Sequence, residues 1–254
     1  MKKFLKVVGI VFTAIILLAL INFLPLASLK TRKMQSVIID GIHVYAEQKD
    51  FENAERIVSN INMSSSRIRE ALGMNEEQDI ELYIYPDRKA LHRKTIGFAG
   101  WFLPDWYIGR NNTESVFITS PSEPGPQHSR ESIEKAAVHE YVHAMTDRQN
   151  RAMGYWMKEA FALYLADQVP PLVSIRESSD ITFAEYKTQN PIEFANVGGY
   201  SLSFTYMDFL IEEIGWERVL GFLNPDKTFE EITGEKEEVV FQQWKLWLRT
   251  YSPS

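Results

Sequence analysis

The sequence predicts an α+β domain preceded by a single transmembrane helix. Residues 7–29 form an uncharged apolar stretch, strand-like segments are concentrated before residue 120, and helical spacing of apolar residues dominates afterwards. Apolar residues recur every second position in a half-buried strand and every three to four positions in an amphipathic helix. We therefore expect a small N-terminal mixed sheet followed by a helical C-terminal half.

The apolar stretch predicts a membrane anchor. Residues 7–29 are long enough to cross a hydrocarbon core of about 30 Å as a helix. A cleaved signal peptide, the alternative, usually has a shorter apolar region followed by a small-residue cleavage site, and residues 25–28 (Pro-Leu-Ala-Ser) match that site poorly. The first domain is thus residues 1–35, an anchor and a short tether (30–35), and the second is residues 36–254. Three basic residues lie on each side of the span, so flanking charge does not set its orientation. The short N-terminal tail favours a domain outside the cytoplasm.

Charge and cysteine content exclude several functions. Residues 1–33 hold six of the 27 basic residues and none of the 34 acidic ones, so the rest of the chain has 21 basic and 34 acidic side chains, a net charge of −13. Such a domain repels nucleic acid, which is excluded as a partner. The absence of cysteine excludes disulfides, thiol catalysis and a thiolate metal site.

The elements of the second domain follow from local patterns. The N-terminal part predicts strands at 36–46 (interrupted by a tight turn at Asp40-Gly41), 80–85 and 116–119, with a helix at 50–72 that ends at Gly73. The C-terminal part predicts helices at 133–145 and 154–168 and a helical chain after residue 199. Residues 169–199 contain several prolines and glycines, which favours an irregular loop over the site.

The helix at 133–145 carries the most specific motif, the H-E-x-x-H sequence of residues 139–143. Positions four apart lie on one face of a helix, so His139 and His143 can offer two imidazoles to a single metal, with Glu140 beside them as a general base. Glu159, in the sequence Trp-Met-Lys-Glu-Ala at 156–160, is a carboxylate among apolar residues. Burying it without a cation is costly, and a zinc ion held by two His and one Glu would supply that cation.

These two motifs resemble the gluzincin branch of the zincin metallopeptidases, and more closely the peptidase-MA-like domains, which pair H-E-x-x-H with a downstream W-L-x-E-G. Here Met157 and Ala160 replace the usual Leu and Gly, which leaves the ligands intact but affects how closely the two helices approach. The likeness extends from about residue 37 to 251. It implies a zincin-like α+β domain that binds Zn²⁺ through His139, His143 and Glu159.

The resemblance also implies a membrane-anchored zinc metallopeptidase whose partners are peptide or protein substrates. Glu140 would take a proton from the attacking water and pass it to the leaving amine. A hydrogen-bond donor would stabilise the oxyanion, with Tyr200 as first candidate and Tyr206 as second. The strand at 115–120 resembles the family's substrate-binding edge.

Two alternative functions stand beside this interpretation. A catalytically silent, membrane-anchored binding protein with the same fold would be favoured had Glu140 or a ligand been lost. An intramembrane protease is disfavoured because charged residues surround the motif.

Two further features of the sequence are interpreted locally. The aromatic run at 98–107 is either the rim of the cleft or a hairpin packed on the core. The single residues His43, His92 and His128 are expected to be solvated or structural.

Overall fold

The computed structural model describes residues 2–75, 79–177 and 180–251, and within them the chain has the expected α+β composition and is mostly helical. Its strands are β1 (Gln35–Ile39), β2 (Ile42–Ala46), β3 (Glu81–Tyr85), β4 (Gly109–Asn111) and β5 (Ser115–Thr119). Its α-helices are α1 (Lys2–Phe23), α2 (Phe51–Ala71), α3 (Arg88–Thr95), α4 (Arg130–Gln149), α5 (Tyr155–Leu165), α6 (Leu172–Glu177), α7 (Phe183–Tyr186), α8 (Pro191–Asn196), α9 (Gly199–Ile214), α10 (Trp216–Val219), α11 (Phe229–Thr233) and α12 (Glu237–Leu248). Short 3-10 helices cover Leu24–Ala27, Gln48–Asp50, Phe98–Phe102 and Leu220–Leu223.

The five strands form one mixed sheet in the order β1-β2-β3-β5-β4. β1 and β2 are an antiparallel hairpin that places Ile39 opposite Ile42, and β2 runs parallel to β3. The predicted turn at Asp40-Gly41 is confirmed, since both residues have positive φ (44° and 87°), a conformation that glycine adopts without strain.

The expectation that residues 115–120 form the substrate-binding edge is wrong. β5 lies between β3 and β4, so the edge strand on this side of the sheet is β4. Backbone hydrogen bonds from Asn112 N to Ser115 O and from Thr119 N to Ile108 O join β4 and β5 as a hairpin. β4 has only three residues, too few to show the alternation by which a strand is recognised in a sequence.

The chain divides into two compact units. The first comprises Met1–Ser59, Asp79–Arg110 and Val116–Ala137, and the second comprises Asn60–Gln78, Asn111–Ser115 and Val138–Ser254. In the first unit an aromatic core joins the sheet to α3, consisting of Tyr45, Tyr83, Tyr85, Ala90, Leu91 and Phe117. In the second unit α5 packs extensively on α9, and the rings of Trp156, Tyr186, Phe194, Tyr206, Phe241 and Trp244 form a buried aromatic cluster.

The segment 169–199 is more regular than expected, because it contains α6, α7 and α8. Asn190 caps α8 by accepting hydrogen bonds from Ile192 N and Glu193 N, and Pro191 occupies the first turn. Proline is favoured there because its missing N–H has no partner in a helix in any case. Thr182 and Glu185 form a reciprocal capping box around α7. Proline and polar residues in this segment therefore start helices.

The N-terminal apolar segment is helical, as predicted. The stretch Phe4–Ala27 is long and apolar enough to cross a membrane, and none of its most apolar window is buried in the protein. The tether that follows is docked on the first unit. Met34 packs against the aromatic core, and the Lys30 ammonium lies 3.9 Å from the centre of the Tyr45 ring.

Candidate metal centre

Two helices of the second unit bring His139, His143 and Glu159 together, as the sequence predicts. His139 Nε2 lies 3.0 Å from His143 Nε2 and 3.2 Å from Glu159 Oε2, and His143 Nε2 lies 3.5 Å from Glu159 Oε1. All three residues are buried. Within the described residues, this is the one group of His, Asp and Glu side chains whose ligand atoms are close enough to hold a metal ion.

The spacing of these atoms fits a tetrahedral zinc site. Ligand atoms bound to zinc at about 2.0–2.1 Å in tetrahedral geometry lie about 3.3 Å from each other. The separations of His139 Nε2 from His143 Nε2 (3.0 Å) and from Glu159 Oε2 (3.2 Å) are close to this value, and His143 Nε2 lies 3.5 Å from the other carboxylate oxygen, Oε1. Glu159 Oε2 is also fully buried and accepts no hydrogen bond from the described residues. A buried carboxylate oxygen without a donor is costly, and a cation between the three residues would remove that cost.

The helices that carry the ligands are held together one turn further along α4. Lys158 Nζ lies 2.7 Å from Asp147 Oδ1 and also donates to Arg151 O, so α5 is tied to the end of α4 beside Glu159. The Ala160 side chain, which stands where the motif that the sequence resembles has Gly, is fully buried. The added methyl group is therefore accommodated while the ligand atoms remain in range.

The electrostatics of the cluster favour an ionised Glu159. Burial opposes ionisation of the carboxyl group, but attraction to His143 and His139 outweighs burial, and the pKa of Glu159 lies far below its usual range. The carboxylate is therefore charged at neutral pH. A negative charge in a buried site has the sign needed to bind a divalent cation.

Gln168 orients one of the imidazoles. Its Oε1 lies 3.1 Å from His139 Nδ1, so an N–H at Nδ1 donates to the amide and leaves the Nε2 lone pair facing the cluster. Gln168 reaches this position through a tight turn after α5, in which Asp167 adopts positive φ (53°) and Gln168 N donates to Leu163 O. Sequence reasoning named no residue for this role.

Tyr155 is a second residue that sequence reasoning missed, and it connects Tyr200 with Glu159. Burial raises the pKa of Tyr155 well above its usual value, and the Glu159 carboxylate and the Tyr200 hydroxyl raise it further through charge and hydrogen bonding. The Tyr155 hydroxyl therefore lies next to the Glu159 carboxylate, which can only accept a hydrogen bond. Tyr155 stands four residues before Glu159 on α5, the spacing that places two side chains on one helix face.

Aromatic packing fixes these two tyrosines. The Phe194 ring makes edge-to-face contacts with both, at centroid distances of 4.9 Å to Tyr155 and 4.9 Å to Tyr200. Tyr200 is half-buried at the start of α9, and its hydroxyl adjoins the cluster through Tyr155. Tyr206, the second candidate for the oxyanion donor, is instead fully buried against Tyr186 and Trp244, which gives it a packing role.

Glu140 lies between the two histidines on α4 and is half-buried. The remaining histidines agree with the solvated or structural roles expected of them. His92 Nε2 lies 2.8 Å from Tyr107 O, His128 Nε2 lies 3.0 Å from Trp106 O, and His43 is exposed.

Protein-family models and curated proteins were both compared with this chain, and neither comparison gave a match. The functional assignment therefore depends on the chemistry of the site.

Proposed function

We propose that this chain is a membrane-anchored, zinc-dependent metallopeptidase with a zincin-like catalytic domain. The observation that carries the proposal is the buried group of His139, His143 and Glu159, with ligand atoms spaced as zinc requires. The H-E-x-x-H arrangement adds Glu140, a half-buried acidic residue on the ligand helix. Three protein ligands leave a fourth position for water or substrate, which is typical of catalytic zinc sites and unlike closed structural ones.

The residues of the chain have distinct roles in the proposed reaction. Zinc, when bound, supplies a water of lowered pKa (about 7 instead of 15.7) and polarises the substrate carbonyl group. Glu140 accepts the proton of the attacking water and delivers it to the leaving amine. The Tyr200 hydroxyl donates a hydrogen bond to the developing oxyanion. Tyr155 and Gln168 orient Glu159 and His139 and make no contact with substrate in this scheme.

In this proposal the apolar helix α1 holds the chemistry at a bilayer. We propose that α1 remains attached as an uncleaved anchor and that the zinc domain lies outside the cytoplasm. The substrates would then be peptides or proteins close to the membrane surface.

Peptide hydrolysis by full-length protein tests the function. The zinc-loaded chain should cleave members of a broad peptide library, and Glu140→Gln should lower the rate by about 10²–10⁴-fold because the amide cannot accept the proton. Zinc content and the unfolding transition should be unchanged in this variant, since Glu140 is not a ligand. Undiminished hydrolysis by the variant would exclude Glu140 as the base, and a zinc-loaded wild type that cleaves no peptide would support a binding protein instead.

A further inference from the structure

An exposed aromatic turn next to the end of α1 has no role in the proposed chemistry. The turn is the 3-10 helix Phe98–Phe102, and the side chains of Trp101 and Phe102 are 66 % and 89 % exposed. This result differs from the expected hairpin packed on the core, since the turn is a 3-10 helix and its largest side chains are exposed. We propose that this aromatic turn is a second membrane contact, which inserts into the interface of the bilayer that α1 spans.

The first argument is the position of the aromatic turn beside the last turn of α1. Ala99 N donates to Asn22 Oδ1 at 2.8 Å, one residue before α1 ends at Phe23. Gly97 also approaches α1 closely, because a Cβ atom there would clash with Asn22 O. The apolar part of α1, residues 4–23, extends about 30 Å, the thickness of a hydrocarbon core. The last turn of α1, and with it the aromatic turn, therefore lies at the boundary between acyl chains and headgroups.

The residues that follow α1 fix the first unit, and with it the aromatic turn, at this position beside the end of the helix. Lys94 Nζ donates to Ser28 O at 2.7 Å and to Pro25 O at 3.4 Å, and the Tyr85 hydroxyl donates to Leu29 O at 2.9 Å. Residues 24–29 are thus fixed to α3 and the sheet. The first unit cannot swing away from the anchor without breaking these bonds.

The backbone of the turn is also pinned to α3, which directs its side chains outward. A Cβ atom at Gly100 would lie 2.8 Å from His92 O, so the turn approaches α3 as closely as only glycine allows. The Phe98 and Trp101 rings contact each other edge to face at 5.9 Å. Two large aromatic side chains therefore project from a fixed backbone on the same unit as the anchor.

The chemistry of the turn fits lipid better than a protein partner. Tryptophan is enriched at membrane interfaces, where its ring meets acyl chains and its N–H meets headgroups. The chain beyond residue 33 has a net charge of −13, which opposes attraction to anionic lipid. We therefore expect insertion to be driven by aromatic burial and to occur in zwitterionic phosphatidylcholine without anionic lipid.

Site-directed spin labelling tests the contact, and the absence of native cysteine makes single labels simple to place. The full-length chain would be reconstituted in phosphatidylcholine vesicles with one nitroxide at Phe102→Cys, at Leu17→Cys within α1, or at Met63→Cys. Met63 is a matched control, since it is an exposed apolar residue (72 %) on α2.

The label at residue 102 should lose its collisions with a water-soluble nickel complex and retain collisions with oxygen, as the label at residue 17 does. The label at residue 63 should remain accessible to nickel. Full nickel access at residue 102 with a protected residue 17 would overturn the membrane contact while leaving the anchor intact. Protection at residue 63 as well would show that the aromatic turn has no special contact, and access at residue 17 would overturn the membrane span itself.

Discussion

Individual side chains around Glu159 constrain its carboxylate before any metal binds. His139 and His143 attract it from α4, and the Tyr155 hydroxyl adjoins it from within α5. The two histidines were predictable because a spacing of four places them on one helix face, and Glu159 was predictable because it is a carboxylate among apolar residues in a fragment that resembles a third-ligand motif. Tyr155 was predictable in principle from its position four residues before Glu159. Gln168 was not, because its contact with His139 depends on the left-handed conformation of Asp167.

The substitution Tyr155→Phe tests whether the Tyr155 hydroxyl orients Glu159 or whether the residue serves only for packing. This variant keeps the ring against Phe194 and removes only the hydroxyl group that adjoins Glu159 and Tyr200. We expect zinc affinity to fall by about 10–100-fold, as is typical when a group that orients a ligand is lost. Competition with a chelator of known affinity measures the change. Tyr164→Phe on the same helix is the matched control and should bind zinc normally, and equal affinities of all three proteins would contradict the orienting role.

At the scale of whole helices and strands, the sequence patterns predicted the long elements and missed several short ones. α2, α4 and α5 were predicted because each carries a long, regular apolar pattern. The short helices α7 and α8 were missed because their capping residues are also turn residues, and the edge position of β4 was missed because strand order is not encoded in local alternation. One especially close contact between α8 and α9 can be probed by an alanine substitution.

Gly199, at the start of α9, is that contact. A Cβ atom there would lie 2.5 Å from the Phe194 ring, which is itself fully buried between Tyr155 and Tyr200. Glycine to alanine normally stabilises a helix by about 1 kcal/mol, but overpacking a buried ring costs about 1–3 kcal/mol. We expect Gly199→Ala to lower the free energy of unfolding, measured by denaturant titration of the full-length chain in detergent. Gly154→Ala is the control, because a Cβ atom there meets open space. A Gly199→Ala protein as stable as this control would contradict the prediction, because it would show that α8 moves away from the added methyl group without loss of stability.

At the scale of the whole molecule, the anchor, the first unit and the membrane are linked through residues 22–34. The sequence predicted a span and a short tether, and the span has the expected length and composition. The docking of Ser28 and Leu29, just before the tether, was not predictable, because it depends on contacts with Lys94 and Tyr85, more than fifty residues away in the chain. Orientation stays a prediction, since basic residues flank the helix on both sides.

Protease treatment of intact cells tests that orientation. If the domain lies outside the cytoplasm, external protease should digest it while the membrane remains sealed, and the mature protein should retain the residues of α1. Protection of the domain from protease would contradict the outward orientation. A mature N-terminus close to Ser28 would contradict the anchor, because it would show that the apolar segment is removed as a signal peptide.

The zinc stoichiometry of the full-length chain tests the central claim most directly. Elemental analysis of the detergent-purified protein should find one zinc per chain. His143→Ala should remove it, because two ligands cannot hold the ion at the same affinity, whereas His43→Ala, which changes an exposed histidine, should retain it. A His143→Ala protein that still holds one equivalent of zinc, or a wild type that holds none after zinc loading, would contradict the metal centre of His139, His143 and Glu159.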